Sequence, residues 1–451
     1  MHRFIIVGGG AGGLELATRL GDKFGTADGK RAARAQVTLI DRNSTHIWKP
    51  LLHEVAAGSL DPFSQELPYV AQARWHGFEF QQGDLLGINR AAKRVTLGAL
   101  LDDEAGELLP QRDLEYDTLV VAIGSTTAFF GVPGAQENSL ALDTVAQAEL
   151  FRKRLIAACI RAEYRTPEPP CVAAQDGIHT PRIQVAIVGA GATGVELSAE
   201  LRNTAQVLHA YGLHKLDPKR DIGIVLIEGG PRILPALPER VSTATAELLQ
   251  KVGVQLMTGE TVAEVSRTSI RTASGKTVAA DLTVWAAGIR APAVLSQLDG
   301  LATNRLGQLI VRSTLQTETD DNIFALGDCA ACPWPGGEKA ERNVPPRAQA
   351  AHQQASFLLK SLERRLDGRP LPDYTYRDFG SLVSLGRYEA IGSLMGFLVG
   401  RNIRVEGLIA RLIYRSLYRM HEYALSGGRK VFFSILARGL SSKSELQVKL
   451  H

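Results

Sequence analysis

The stretch Phe4-Ile-Ile-Val-Gly-Gly-Gly-Ala-Gly-Gly-Leu-Glu-Leu-Ala17 decides the fold of this chain. Four apolar residues lead into a glycine cluster, and a helical pattern follows. Gly8, Gly10 and Gly13 match G-x-G-x-x-G, in which glycine allows a tight turn and a close approach of the backbone to a pyrophosphate. The amides that open the helix then face this anion. The pattern predicts a strand–turn–helix unit that binds a dinucleotide.

An acidic residue after the next strand strengthens this prediction. The strand is Val37–Ile40 and the acid is Asp41, which stands further from the glycines than the usual spacing of about 20 residues. Residues 25–31 resemble a polar insertion that accounts for the difference. The alternative interpretation is a glycine-rich turn in an α/β protein that binds no nucleotide.

The same pattern returns in the second half of the chain. Gly189, Gly191 and Gly194 form a second G-x-G-x-x-G after an apolar run, and Glu228 ends a later strand. A carboxylate at this place suits the ribose 2′-hydroxyl of NADH and repels the 2′-phosphate of NADPH, although Arg232 nearby weakens that preference. Two such units predict two bound dinucleotides.

Each half also holds an apolar strand that ends in glycine. These are residues 116–125 with Gly124 and residues 282–290 with Gly288. Uninterrupted apolar runs are typical of strands buried on both faces of a parallel sheet. The predicted fold class is therefore α/β with two duplicated, Rossmann-like dinucleotide-binding domains.

Charge is distributed unevenly along the chain. The net charge is +4, but residues 401–451 alone carry +7 and the first 400 residues carry −3. A basic end of this kind points to an anionic lipid surface more than to nucleic acid. The chain length of 451 residues predicts two or three domains.

The basic end has an amphipathic pattern between residues 404 and 424. Apolar and basic residues repeat there at helical spacing, and a second short segment, Arg429–Arg438, follows a Gly-Gly break. This pattern predicts helices that lie in a membrane interface. The alternative is packing on the protein's own core or across a dimer. The residues of the repeat are Leu408, Ile409, Leu412, Ile413 and Leu417, flanked by Arg404, Arg411, Arg415 and Arg419.

Cysteine content and hydropathy limit the cellular setting. Four cysteines are too few for a disulfide scaffold, which favours a reducing compartment, and the sequence suggests neither a signal peptide nor an apolar run of 18 residues. Cys329 and Cys332 form a C-x-x-C pair after Gly327-Asp328, which suits a redox pair, but the neighbouring residues 333–337 have the composition of a surface loop. Two cysteines without a second pair make a poor zinc site, so we expect no metal.

Two further stretches suit a site beside a flat ring system. The loop His46–Val55 contains an aromatic residue, a proline and two leucines, and it serves either as a lining for such a ring or as a buried anchor. Gln349 and Gln353 stand four residues apart and share one helix face, with His352 rotated away. A solvated helix face is the alternative for the two glutamines.

Taken together, these motifs resemble the two-dinucleotide-binding flavoprotein reductases. The chain is most similar to the type II NADH dehydrogenases, on the evidence of His46–Leu52, the Ala348–Gln353 segment and the amphipathic end. The resemblance implies FAD on the first glycine motif and NADH on the second, with the NADH domain inserted into a discontinuous FAD domain. It departs from the related disulfide reductases, because no cysteine precedes Cys159.

The resemblance also implies roles for individual residues. Glu196 would lie near the junction of nicotinamide and flavin, or pack in the first turn of its helix; Gln349 and Gln353 would border a quinone site. The candidate cofactor-binding residues are Gly8, Gly10, Ala11, Gly12, Gly13, Asp41, Lys49, Pro50, Leu51, Gly124, Gly327, Asp328, Ala348, Gln349, Gly189, Gly191, Thr193, Gly194, Glu228, Ala287 and Gly288.

The implied activity is non-proton-pumping transfer of a hydride from NADH to FAD and of two electrons to a membrane quinone. The expected domains are 1–180 and 305–395 for FAD, 181–304 for NADH and 396–451 for a peripheral attachment to the cytoplasmic face of the inner membrane; a homodimer is left open. Rival interpretations are a sulfide:quinone oxidoreductase, a soluble NADH oxidase or ferredoxin reductase, and a flavin redox sensor of the apoptosis-inducing-factor type.

Overall fold

The computed structural model describes residues 1–25, 33–102, 104–164, 181–210, 214–335, 343–385, 390–395 and 402–406, with Tyr423 and Leu425. Residues 26–31 of the predicted polar insertion and most of the predicted amphipathic helices lie outside the described residues.

The described part of the chain contains eight α-helices. The α-helices are α1 Ala11–Phe24, α2 Leu52–Ala57, α3 Tyr69–His76, α4 Ala135–Asn138, α5 Val145–Tyr164, α6 Ala192–Ala210, α7 Glu239–Lys251 and α8 Ala348–Leu366. Short 3-10 helices cover Lys49–Leu51, Pro62–Ser64, Ala293–Gln297 and Gly327–Cys329.

The strands are numbered along the chain. They are β1 His2–Val7, β2 Ala35–Asp41, β3 Thr45–His46, β4 Leu67–Pro68, β5 Glu79–Gln82, β6 Leu85–Asn89, β7 Arg94–Leu97, β8 Leu100–Asp102, β9 Gly106–Leu109, β10 Arg112–Glu115, β11 Thr118–Val121, β12 Thr126–Thr127, β13 Ile183–Val188, β14 Ile222–Glu228, β15 Val254–Thr258, β16 Val262–Val265, β17 Ser269–Thr272, β18 Thr277–Ala279, β19 Leu282–Trp285, β20 Ile289–Arg290, β21 Leu309–Ile310, β22 Ile323–Ala325, β23 Ala330–Ala331, β24 Gly380–Ser384, β25 Ala390–Met395 and β26 Asn402–Glu406.

Two parallel sheets carry the fold. The first has the order β22-β11-β1-β2-β5 and the second the order β15-β14-β13-β19. In each sheet the strand before the glycine motif lies between the strand that ends in the acid and the apolar strand that ends in glycine. The predicted α/β class with two Rossmann-like units is confirmed, and the duplication extends to strand order.

Antiparallel sheets are attached to these two units. They are β6-β7-β10, β16-β17-β18 and β24-β25-β26, and a short ribbon joins β12 to β20. The ribbon pairs Thr126 with Arg290 and Thr127 with Ile289, so it connects the chain just beyond the two glycine-ending strands.

The buried apolar residues fall into clusters that cross the predicted domain boundaries. Helix α5 packs with the second sheet through Phe151 and Leu155, whereas Leu295 and Leu301 pack with the first sheet. The boundaries at 180 and 304 therefore remain predictions. The packing favours placing the points where the chain passes between the two domains nearer α5 and β20.

The start of the predicted amphipathic helix needs a correction. Arg404 lies in β26, where it pairs with Ser393, and not in a helix. The backbone here is extended because it pairs with β25 in an antiparallel sheet. The helical periodicity of the residues that follow gives no sign of this pairing. In the described part of the chain, no helix has the length and hydropathy needed to cross a membrane.

Candidate active site

The first glycine motif forms a tight turn between β1 and α1. Gly8 has φ +106°, and a β-carbon there would lie 2.4 Å from the carbonyl oxygen of Ala122. A β-carbon on Gly13 would lie 1.9 Å from the carbonyl oxygen of Gly8, so helix and turn touch through backbone. A β-carbon on Gly10 would meet nothing within 4 Å. Gly10 therefore faces open space, where the pyrophosphate of a dinucleotide has room to approach.

The second glycine motif repeats this geometry between β13 and α6. Gly189 has φ +98°, and a β-carbon on Gly194 would lie 2.0 Å from its carbonyl oxygen. Gly191, like Gly10, faces open space. Thr193 stands exposed in the first turn of α6. The two loops are thus built alike, and both fit the phosphates of a dinucleotide.

Two carboxylates hold these loops in the same way. The amide of Gly9 donates to Asp41 Oδ2 at 2.7 Å, and the amide of Ala190 donates to Glu228 Oε2 at 2.8 Å. Burial raises the pKa of Asp41, and the amide bonds partly oppose this shift. Both acids therefore lie at the end of the second strand of each unit, where a ribose hydroxyl is expected.

Arg232 is engaged within its own loop. Its Nη1 donates to the carbonyl of Leu237 at 2.8 Å, and its Nη2 donates to the carbonyl of Pro235 at 2.8 Å. A guanidinium held in this way is less free to receive a 2′-phosphate, which strengthens the preference for NADH.

Residues that the glycine pattern does not reveal also fix the first loop. The carbonyl of Gly9 accepts a hydrogen bond from the hydroxyl of Tyr69 at 2.8 Å and lies 2.8 Å from Nδ1 of His46. Burial lowers the pKa of His46 to about 4, so the imidazole is neutral near pH 7 and Nδ1 is the donor to this carbonyl. The signal for His46 was its place in the predicted ring-lining loop, whereas Tyr69 gave none.

Lys49 connects the loop after β3 to the far strands of the first sheet. Lys49 Nζ donates to the carbonyl of Ser125 at 3.0 Å and to Asp143 at 2.9 Å, and the hydroxyl of Ser125 donates to Asp328 Oδ2 at 2.8 Å. Burial raises the pKa of Asp328, while Lys49 acts to lower it. Pro50 and Leu51 share the 3-10 helix of Lys49. The carboxyl ends of β11 and β22 and this loop thus meet at one place.

Helix α8 closes on the same edge. Ala348 is its first residue, and Gln354 Oε1 accepts a hydrogen bond from the amide of Gly327 at 2.7 Å. A β-carbon on Gly12 would lie 2.9 Å from the carbonyl oxygen of Ala351, so glycine lets α1 approach α8. Gln354 is buried and sequence analysis missed it, because the i,i+4 argument selected its neighbour Gln353.

The side-chain amides of Gln349 and Gln353 form hydrogen bonds with an adjacent extended segment, residues 377–380. Gln353 exchanges two hydrogen bonds with the backbone of Arg377, and Gln349 bonds the amide of Phe379 and the carbonyl of Gly380. Both side chains are half-buried and bonded to backbone groups, although the bonds to Arg377 and to the amide of Phe379 are exposed to solvent. A role at the edge of a quinone site remains a prediction.

Glu196 is buried in the second turn of α6. Its Oε1 accepts a hydrogen bond from the amide of Ser384 at 3.0 Å, and Oε2 lies 3.6 Å from Nδ1 of His53. Burial lowers the pKa of His53 to about 4, so this contact joins the carboxylate to a neutral ring near pH 7. These contacts lead away from the start of α6 towards α2 and β24. The predicted place beside the nicotinamide remains a prediction.

The end of β19 is fixed by aromatic side chains. Trp285 Nε1 donates to the carbonyl of Ala128 at 2.9 Å, and a β-carbon on Gly288 would lie 2.2 Å from the ring of Phe130. Phe130 is largely exposed and has φ +53°, which is unusual for a bulky residue. Ala287 touches Gly189, because a β-carbon on that glycine would lie 2.6 Å from its Cα. The predicted residues Ala287 and Gly288 therefore adjoin the second glycine loop.

The C-x-x-C pair is buried and unsuited to thiol chemistry. Cys329 and Cys332 are free and buried, and burial raises the pKa of each thiol to about 12. A thiol that stays protonated near pH 7 is a poor nucleophile. This argues against a redox pair at this place.

A family model described as "Pyridine nucleotide-disulphide oxidoreductase" matches residues 2–355. The type II NADH:quinone oxidoreductase of Haemophilus influenzae is 42% identical over 454 residues, which covers 100% of both chains. This chain belongs to the type II NADH:quinone oxidoreductases. The resemblance inferred from the two glycine motifs and the Ala348–Gln353 segment is thereby confirmed.

Solved structures share the fold of this type II enzyme. The structure of NDH2 from Plasmodium falciparum in complex with NADH superposes with a TM-score of 0.79 at 19% identity, covering 100% of this chain and 99% of that one. The sulfide:quinone oxidoreductase of Aquifex aeolicus gives a TM-score of 0.69 at 18% identity, covering 99% and 96%. At such identities the likeness concerns the fold alone.

Proposed function

We propose that this chain is an FAD-dependent NADH:quinone oxidoreductase that pumps no protons. The observation that carries the proposal is the pair of equivalent glycine loops. Each loop has open space at its middle glycine, and the amide of its second residue, Gly9 or Ala190, donates a hydrogen bond to a carboxylate. Two loops of this kind suit two dinucleotides, and a type II family chain uses FAD and NADH.

FAD, when bound, accepts a hydride from NADH and supplies two electrons to a quinone. In the proposal, Asp41 receives the ribose hydroxyls and the amides that open α1 face the pyrophosphate. Lys49 and Asp328 hold the polar end of the ribityl chain, since the two side chains meet through Ser125. These residues bind and orient, and no side-chain nucleophile is needed.

NADH is assigned to the second loop. Glu228 receives the adenosine ribose, while Ala287 and Gly288 present backbone to the reducing end. Glu196 shapes the nicotinamide side of the pocket through its carboxylate. Its burial excludes water from that region, since only 7% of the residue is exposed.

The quinone is assigned to the region beside Gln349 and Gln353. Isoprenoid quinones dissolve in the bilayer, so the enzyme must reach a membrane surface. We assign this contact to the basic C-terminal region, on the cytoplasmic face of the inner membrane. A homodimer through the same region is the competing use of its apolar residues.

The domain division in this proposal is an NADH-binding unit inserted into a discontinuous FAD-binding unit. Its predicted bounds are 1–180 and 305–395 for FAD and 181–304 for NADH, with residues 396–451 at the membrane. The packing of α5 and of Leu295 favours moving the two boundaries of the NADH-binding unit towards α5 and β20.

The flavin spectrum tests the function directly. Purified protein should carry FAD, NADH should bleach its absorbance, and a soluble quinone analogue should restore it within turnover time. Sulfide added in place of NADH serves as the control for the rival activity. The proposal would be wrong if sulfide bleached the flavin absorbance and NADH did not. It would also be wrong if no quinone reoxidised the reduced flavin.

A further inference from the structure

An extended segment, residues 377–384, runs between the predicted quinone side and the predicted NADH side. At its first end, the amide of Arg377 donates to Gln353 Oε1 at 3.0 Å and its carbonyl accepts from Gln353 Nε2 at 2.8 Å. The amide of Phe379 donates to Gln349 Oε1 at 3.2 Å, and the carbonyl of Gly380 accepts from Gln349 Nε2 at 3.0 Å. The two glutamines thus bind the backbone of this segment as a neighbouring strand would.

The spacing of the glutamines explains this pairing. Four residues of helix rise about 6 Å, and two residues of strand extend about 6.6 Å. Side chains four apart on α8 therefore match backbone groups two apart on an extended segment. Asp378 lies between the two contacts, and its carboxylate accepts from Arg347 Nη1 at 2.8 Å, which fixes the register.

The second end of the segment is held by Glu196. The amide of Ser384 donates to Glu196 Oε1 at 3.0 Å. Val383 and Leu385 on either side are buried in the core cluster that contains Leu52 and residues of α6. Gly380–Ser384 is β24, which spans about 13 Å and pairs with β25 along its whole length, so the two ends belong to one paired strand.

We propose that residues 377–384 form a strap that couples the two substrate sites, with Gln349 and Gln353 positioning one end and Glu196 the other. The inference rests on the proposed function, which places the glutamines beside the quinone and Glu196 beside NADH. These three residues act here as positioning residues, because they fix a backbone that both sites share. Loosening either end displaces the wall of the opposite site.

Hydrogen exchange read by mass spectrometry tests the coupling without reference to activity. Gln353→Met keeps the side-chain length but removes both hydrogen bonds, and Lys360→Met on the exposed side of the same helix is the matched control. Gln353→Met should speed exchange about fivefold in the peptide that contains Arg377 and Phe379. The coupling also requires faster exchange in the peptide that contains Ser384, with Lys360→Met leaving both unchanged. Unchanged exchange at Ser384 would overturn the strap.

The two half-reactions provide the second readout. A coupled strap slows both the bleaching of the flavin by NADH and its reoxidation by quinone in Gln353→Met. A glutamine that only contacts the quinone slows reoxidation alone, and that outcome also overturns the inference. If no quinone reoxidises the wild-type flavin, the proposed function fails, while the exchange experiment still decides the strap.

Variants of Glu196 test the other end. Glu196→Gln retains a carbonyl acceptor for the Ser384 amide, so exchange should stay unchanged. Glu196→Ala removes it and should speed exchange at Ser384 and at Phe379. In the double variant with Gln353→Met, the two effects on exchange should be less than multiplicative, because each change already weakens the hold on both ends of the strap. Fully multiplicative effects would show two independent anchors.

Discussion

Gly194 lies so close to Gly189 that a β-carbon on Gly194 would stand 2.0 Å from the carbonyl oxygen of Gly189. Gly191, between them, would place its β-carbon in open space. The glycines of one motif therefore serve separate purposes: two of them build the turn, and the middle one leaves room for a ligand.

Alanine substitutions should separate these purposes. Gly191→Ala should leave the melting temperature and the bound FAD unchanged but raise the KM for NADH at least tenfold, because the new methyl group occupies ligand space. Gly194→Ala should destabilise the fold by several kcal/mol, since helix and turn must separate. Thermal unfolding and steady-state kinetics check both outcomes.

The first loop provides the matched pair for this prediction. Gly10→Ala should lower FAD content at purification while the apoprotein stays folded, and Gly13→Ala should fail to fold. Full FAD occupancy with Gly10→Ala would contradict the assignment of that open space to a pyrophosphate.

Stability should depend on pH through two buried histidines. Burial lowers the pKa of His46 and of His53 from 6.5 to about 4. Between these values the unfolded chain binds more protons than the folded one, so the free energy of unfolding rises with pH. Each ring contributes a slope of up to about 1.4 kcal/mol per pH unit, and the stability is lost as the pH falls from about 6.5 towards 4.

Urea unfolding at about pH 7 and about pH 5 measures this slope. His53→Gln should lower the number of protons taken up on unfolding by up to one and reduce the slope accordingly. Asp41 and Asp328 act in the opposite sense, because burial raises the pKa of each carboxyl and their contribution to stability is lost as the pH rises through that pKa. A slope identical in His53→Gln and wild type would refute the assignment.

Gly288 and Phe130 should show strong energetic coupling. Gly288→Ala places a methyl group 2.2 Å from the Phe130 ring, and it also puts alanine at φ +68°. We expect a loss of about 2–4 kcal/mol and a raised KM for NADH. Phe130→Ala in the same chain removes the ring contact but leaves the unfavourable backbone, so about half of the lost stability should return. Additive effects of the two substitutions on the free energy of unfolding would show that the Phe130 ring moves aside without loss of stability.

The buried thiols should resist alkylation in the folded protein. Burial raises the pKa of Cys159, Cys329 and Cys332 to about 12. In a Cys171→Ser background, a thiol reagent at neutral pH should label none of them until denaturant is added. Cys329→Ala should retain NADH-driven quinone reduction. Rapid labelling of Cys329 would reopen a thiol-based activity.

The glycine motifs and the acids were accessible from sequence because they depend on local chemistry. Gly8 and Gly189 need positive φ, and an acid at the end of the next strand follows from the ligand's ribose. Longer-range contacts were not accessible. Tyr69 reaches Gly9 across 60 positions and Glu196 reaches Ser384 across 188, and nothing in a single-chain pattern fixes such distances.

Gln349 and Gln353 show that a sequence motif can identify a shared helix face without identifying what that face contacts. Their i,i+4 spacing identified a shared helix face, but the same spacing suits a quinone, solvent or an extended segment. The outcome depends on residues 377–380, whose sequence carries no strong strand pattern. Arg404 shows the opposite failure, since its helical periodicity is overridden by pairing with β25.

Gln72 is fully buried beside α1, and its Nε2 donates to the carbonyl of Leu425 at 2.6 Å. Leu425 itself is buried in the core of the first sheet. Deleting the basic end to test membrane attachment would therefore also remove a buried side chain from the core of the first sheet and leave the Gln72 amide with Thr18 Oγ1 as its remaining acceptor. Loss of membrane binding in such a truncation would be inseparable from misfolding. Charge reversal of individual arginines in residues 411–438, with Leu425 kept, is the experiment that isolates attachment.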